Sequence, residues 1–140
     1  MWIVAVTLVG CINEDRRLYE VELSGEVSVA AGPGAGTVHL ELHHAVSGAG
    51  ELATPLGLVD ATSVDAPGPT SWTTLVPLGE GEGLVLYGWL DVDGDGLLCG
   101  LDAAPEPAGV VELAGFPDHA LEFSLVLDAA CAGPSALYPP

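Results

Sequence analysis

The chain has 140 residues, of which 49% are hydrophobic and 20 are acidic, against only two basic residues, Arg16 and Arg17. This length fits one domain, and the apolar fraction excludes an intrinsically disordered chain. The net charge of −18 argues against nucleic-acid binding, because no basic patch is present to neutralise phosphates. We expect instead an acidic surface that attracts divalent cations.

The first ten residues form an uncharged apolar segment that ends at Cys11. The segment is shorter than the about 20 residues that span a bilayer, and it matches the apolar part of an export signal. Residues 8–11, Leu-Val-Gly-Cys, resemble the bacterial lipobox, in which the cysteine is acylated and becomes the new N-terminus. This resemblance implies a lipoprotein signal peptide at residues 1–10, lipidation of Cys11 and a polar tether at residues 11–17. The alternative is a buried first strand with an incidental cysteine.

Strand patterns recur along the rest of the chain, whereas 19 glycines and 11 prolines interrupt every window that could form a helix. Segments with strand character lie at residues 18–30, 37–45, 56–63, 71–78, 83–92, 109–114 and 120–128. Residues 83–92 are apolar on both faces, which predicts a central strand. About seven strands separated by turns predict an all-β fold, an antiparallel Greek-key β-sandwich over residues 18–131. Residues 132–140 are predicted to be a C-terminal coil.

An acidic loop follows the predicted central strand. Residues 91–102 match the twelve-residue calcium loop, with acids at positions 1, 3, 5 and 12 and glycine at position 6. The glycine permits the sharp turn that lets alternating carboxylates converge on one cation. The spacing predicts a structural Ca²⁺ site made of Asp91, Asp93, Asp95, the Leu97 carbonyl and Asp102. Glu106 is an alternative to the short Asp102, and a solvated acidic turn is the alternative to a cation site.

The segment after the loop excludes a complete EF-hand, because Pro105 and Pro107 prevent an exiting helix. The resemblance is therefore to the loop alone, as in dockerin-type repeats and many secreted β-sandwich proteins.

Two cysteines remain if Cys11 carries lipid. In an exported protein, the even pair Cys99 and Cys131 predicts one disulfide. Two buried free thiols are the alternative.

Three potential metal ligands, His39, Glu41 and His43, lie on one face of the predicted second strand. His39 and His43 would be about 13 Å apart on a regular strand and cannot share one ion. We therefore expect a solvated polar face. A metal site there would need Glu41, one histidine and a ligand from a neighbouring strand.

Residues 8–11, 83–100 and 131–134 together make the chain resemble a small bacterial lipoprotein with a transthyretin-like or carboxypeptidase-regulatory-like β-sandwich. The resemblance implies a non-enzymatic structural, adhesive or accessory protein of the bacterial envelope, exported to the outer membrane or cell surface and anchored in the membrane through Cys11. We expect a monomer whose partner, an envelope protein or a glycan, the sequence does not identify. The second hypothesis is a carbohydrate-binding or carboxylate-dependent hydrolytic module, with Trp72 and Trp89 on an exposed face.

Overall fold

The computed structural model describes residues 18–31, 34–48, 51–77, 82–100 and 105–138. Within these ranges, no helix is long and apolar enough to cross a membrane. Eight strands and one helical turn follow in chain order: β1 (Leu18–Val29), β2 (Thr37–Gly48), β3 (Glu51–Val64), β4 (Gly68–Pro77), β5 (Glu82–Asp91), β6 (Pro107–Leu113), β7 (Ala120–Leu127), β8 (Ala129–Ala130) and α1 (Pro134–Leu137). The first seven overlap the seven predicted strands, and the two-residue β8 was not predicted.

The strands form two sheets that pack face to face. A small sheet has the order β4-β1-β7, and a large sheet has the order β3-β2-β5-β6-β8. The predicted all-β sandwich is confirmed, and β5 is the central strand of the large sheet as predicted. The apolar residues of each alternating pattern face the other sheet and form the core: Val21, Leu23, Val27, Val38, Leu40, Leu42, Val76, Leu84, Leu86, Leu90, Leu113, Leu121, Phe123, Leu125 and Leu127.

One strand pair departs from the predicted antiparallel arrangement. β1 pairs with β4 in antiparallel orientation, but it pairs with β7 in parallel orientation, from Glu22 opposite Ala120 to Val29 opposite Leu127. The chain reaches β7 from β6, which belongs to the other sheet. The direction of β7 is therefore set by this crossing between the sheets, and no hairpin joins it to β1.

A glycine makes this crossing compact. Gly109 of β6 lies against the backbone of β7, where a Cβ at this position would overlap the carbonyl oxygen of Val126. Beyond the crossing, the backbone N–H of Asp128 donates to the carbonyl of Ala108, at 3.1 Å. The two sheets thus meet closely along β6 and β7.

The outer face of the large sheet, which points away from the core, is partly covered by residues 131–138, here called the C-terminal segment. Its helical turn α1 contacts both β3 and β6, so it crosses the sheet above β2 and β5. Two small apolar clusters form beneath it: Tyr138 packs with Ala45, Val85 and Val110, and Leu137 packs with Tyr87, Trp89, Ala108 and Leu98. This cover decides which polar residues of β2 are exposed to solvent.

Candidate cation site

The central strand delivers the first acidic residue of the loop. Asp91 is the last residue of β5 and is only 5% exposed. Its carboxylate accepts the backbone N–H of Gly94 at 2.7 Å and that of Gly96 at 3.0 Å. Both glycines have positive φ, 78° and 73°, which glycine adopts without steric cost. The Asp-x-Asp-Gly-Asp-Gly sequence therefore folds the loop back over the Asp91 side chain.

The charge of Asp91 is set by opposing effects. Burial by itself raises the pKa of Asp91, whereas the hydrogen bonds from Gly94 and Gly96 and the nearby His39 lower it, and the pKa lies below its usual value. The His39 Nε2 is 3.7 Å from the Asp91 Oδ2. Asp91 is therefore an ionised carboxylate at neutral pH.

A second buried carboxylate closes the loop from the other side. Glu106 is fully buried, and its Oε1 accepts the backbone N–H of Val92 at 2.9 Å while its Oε2 accepts that of Cys99 at 2.7 Å. The described part of the chain contains no lysine or arginine that could neutralise it. Backbone donors are thus the hydrogen-bond partners of this carboxylate.

Asp91, Asp93 and Glu106 converge at this end of β5. One carboxylate oxygen from each lies within 4.8 Å of those of the other two. Two oxygens bound to one calcium ion, each at 2.3–2.6 Å, are at most about 5 Å apart. The group could therefore hold one metal ion, and its spacing is compatible with Ca²⁺ but not specific to it.

The four predicted side-chain ligands divide into three sets, and no contact tests the predicted Leu97 carbonyl. Asp91 and Asp93 belong to the converging group. Asp95 does not, because its exposed side chain turns back and its Oδ1 accepts the backbone N–H of Leu97 at 2.7 Å. Asp102 lies outside the described residues, and the alternative ligand Glu106 is the acid that joins the group.

The remaining predicted site residues include the cysteines. The predicted disulfide between Cys99 and Cys131 is present, with a Cα–Cα distance of 5.4 Å, and it joins the end of the acidic loop to the C-terminal segment. Cys11, the predicted lipidation site, lies outside the described residues.

The histidines of β2 have separate partners. His43 Nε2 donates to Glu41 Oε2 at 2.8 Å, whereas the His39 ring stacks on Trp89 with centroids 4.4 Å apart. His43 is only 6% exposed, so the predicted solvated face is wrong at this position. Its partner across the strand pair, Val85, is also buried, in the apolar cluster that contains Tyr138.

The tryptophans of the described region do not form an exposed aromatic face. Trp89 is 7% exposed and packs beneath the C-terminal segment, and Trp72 is half-buried against the core between the sheets. These positions differ from the exposed aromatic surface that the carbohydrate-binding hypothesis requires.

No family model and no curated protein matches this chain. A similar solved structure is an alternative pilotin from the type II secretion system of Vibrio cholerae, at 10% sequence identity and a TM-score of 0.47. The alignment covers 84% of this chain and 100% of the pilotin chain. A TM-score of this size assigns neither fold nor function.

Proposed function

We propose that the chain is an exported, non-enzymatic β-sandwich that binds one calcium ion for stability and is held at the bacterial envelope by a lipid on Cys11. The observation that carries the calcium part is the convergence of Asp91, Asp93 and Glu106 at the end of the central strand. The envelope part rests on the lipobox-like residues 8–11 and on the disulfide, which is typical of oxidising compartments.

Electrostatics favours a bound cation at this group. Two carboxylate charges no more than 4.8 Å apart repel each other by at least about 3 kcal/mol at an effective dielectric constant of about 20. Asp91 and Glu106 are buried, and the described residues supply no lysine or arginine to offset this repulsion. A divalent ion coordinated by the three carboxylates would turn the repulsion into attraction.

The surroundings of the loop favour a structural ion over a signalling ion. The loop starts from the central strand β5 and contains the disulfide-bonded Cys99. Among the described residues, no mobile helix pair flanks it as in calcium sensors. An extracellular module needs a dissociation constant of only about 10⁻⁴–10⁻³ M. At ten times the dissociation constant, the ion would stabilise the fold by about 1.4 kcal/mol.

The positions of the two described tryptophans weigh against the carbohydrate-binding alternative. Trp72 and Trp89 are in packing positions, so neither offers an exposed platform for a sugar ring. We therefore propose an accessory or adhesive module that acts through an envelope protein or glycan partner.

Thermal unfolding in calcium, in magnesium and in chelator tests the calcium site. We expect calcium to raise the midpoint by about 4–6 °C over chelator and magnesium to raise it less. Asp93→Asn should abolish this response without preventing folding, because Asp93 is exposed. The control Asp65→Asn, in the exposed turn between β3 and β4, should keep it. Identical melting of the wild type in calcium and in chelator would show that the loop is only an acidic turn.

A further inference from the structure

We propose that the Cys99–Cys131 disulfide holds the C-terminal segment on the large sheet under redox control. Its reduction releases residues 131–138 and exposes Tyr87 and Trp89 to solvent. This inference stands apart from the calcium proposal, because it concerns the outer face of the large sheet and requires no ion.

The C-terminal segment is what covers this face. Leu137 packs on the cluster of Tyr87, Trp89 and Ala108, and Tyr138 packs on Ala45 and Val85. Both clusters are separate from the core between the sheets. The segment can therefore leave without opening the sandwich itself.

Besides the packing of Leu137 and Tyr138, three hydrogen bonds between described residues hold the segment in place. The Tyr87 hydroxyl donates to the Ala132 carbonyl at 2.9 Å, the Tyr138 hydroxyl donates to Glu112 at 2.6 Å, and the Cys131 N–H donates to the Glu106 carbonyl at 2.9 Å. The helical turn α1 has only four residues, too few to be stable by itself. The disulfide adds one covalent bond to these noncovalent contacts.

The backbone at both cysteines is held in an unfavourable conformation. Cys99 has φ 48° and Cys131 has φ 53°, in the left-handed region that residues with a Cβ rarely occupy. Such a conformation persists only when its surroundings enforce it. Once the sulfurs separate, Cys131 can relax, and the direction of the chain after it changes.

The disulfide is open to a dithiol reductant. Cys131 is an exposed residue and Cys99 is a half-buried one, so we place the first attack of the thiolate at the Cys131 sulfur. The Sγ–Sγ bond breaks, a mixed disulfide forms on Cys131, and Cys99 leaves as a thiolate. The second thiol of the reductant then displaces Cys131, so that two electrons and two protons pass to the protein and the reductant becomes a disulfide.

The position of Cys99 suits it as the leaving group. The backbone N–H of Glu106 points at the Cys99 sulfur at 3.2 Å and stabilises the thiolate that forms there. This donor offsets part of the repulsion from the neighbouring Glu106 carboxylate.

Peptide-resolved hydrogen exchange on the full chain, before and after treatment with dithiothreitol and in chelator throughout, tests the inference. We expect exchange in residues 131–138 to rise at least tenfold on reduction, with β1 and β7 unchanged. Cys131→Ser should show the fast exchange without reductant, and dithiothreitol should not change it further.

Two outcomes would overturn the inference. One is continued protection of residues 131–138 after alkylation has verified two free thiols. The other is loss of protection in β1 and β7 together with the C-terminal segment, which would make the disulfide a support of the whole fold.

Discussion

The backbone N–H of Cys99 donates to the Oε2 of Glu106 at 2.7 Å, and the backbone N–H of Glu106 donates in return to the Cys99 sulfur at 3.2 Å. The other carboxylate oxygen of Glu106 accepts the N–H of Val92. One buried carboxylate therefore joins the start and the end of the acidic loop. These hydrogen bonds of Glu106 close the loop without a cation. A bound cation would stabilise the closed loop further.

Replacing Glu106 by glutamine should weaken the fold even without calcium. Glutamine offers one acceptor oxygen, and its NH₂ group would face a backbone N–H that loses its partner. We expect Glu106→Gln to lower the free energy of unfolding by about 1–3 kcal/mol in chelator, measured by urea denaturation. Glu122→Gln, on the exposed face of β7, is the matched control and should change it little. Wild-type stability of Glu106→Gln in chelator would contradict this account of the loop.

Gly109→Ala should strongly destabilise the sandwich, because a Cβ there overlaps the Val126 carbonyl and forces β6 away from β7. We expect a loss of about 2–4 kcal/mol in urea unfolding, which is the cost of an overpacked contact that the backbone cannot relieve. Gly57→Ala is the matched control, since a Cβ at Gly57 of β3 meets no atom within 4 Å. Equal stability of the two variants would mean that β6 and β7 separate easily.

Alkaline pH should destabilise the fold through its buried tyrosines. Burial, followed by the hydrogen bond to Glu112 and the charge of that carboxylate, raises the pKa of Tyr138 from 10.0 to about 12. Burial and the charge of Glu41 also raise the pKa of Tyr87. Because the unfolded chain ionises these phenols first, their contribution to stability is complete below pH 10 and is lost as the pH rises through the folded-state pKa.

Urea midpoints between pH 8 and pH 12 measure this effect cleanly, since the chain has no lysine to titrate in the same window. We expect the midpoint to fall between pH 10 and pH 12 in the wild type and to fall less in Tyr138→Phe. At pH 8 this variant should lose about 1 kcal/mol for the hydrogen bond to Glu112. If the urea midpoints of the wild type and of Tyr138→Phe fall equally between pH 10 and pH 12, Tyr138 does not cause the loss of stability.

Cys11→Ser should release the protein from membranes. Each buried CH₂ of an acyl chain contributes about 0.8 kcal/mol, so the several chains of a lipoprotein hold it firmly and their loss frees it. Fractionation of cells and intact-mass measurement give the result, and Cys131→Ser, which keeps Cys11, should remain in the membrane fraction. A membrane-bound, uncleaved Cys11→Ser protein would exclude the lipoprotein assignment.

Local patterns in the sequence predict the strands well, because alternation along one strand depends only on which of its faces is buried. In β7 the apolar residues Leu121, Phe123, Leu125 and Leu127 all face the core, as their spacing predicts. The parallel pairing of β7 with β1 cannot be predicted from the alternation of apolar residues. The same alternation serves either orientation, and the path of the chain between the two sheets decides it.

The site was predictable in part for similar reasons. Asp91 and Asp93 follow from local spacing, whereas Glu106 is brought in by the return of the chain into β6 after the loop. The signal that points to Glu106 is its position between two prolines, directly before a strand whose first three residues are buried. The burial of His43 has no local signal, since the apolar cluster around its strand partner Val85 includes Tyr138, which is distant in sequence.

The parallel pairing of β1 with β7 also constrains the order in which the two sheets fold. β1 begins at Leu18, and its partner on this side does not begin until Ala120, so the small sheet stays incomplete until nearly the whole chain is available. Contacts this distant in sequence slow folding. Chains truncated before Ala120 should accordingly stay protease-sensitive, and a protease-resistant truncated chain would show that the large sheet folds on its own.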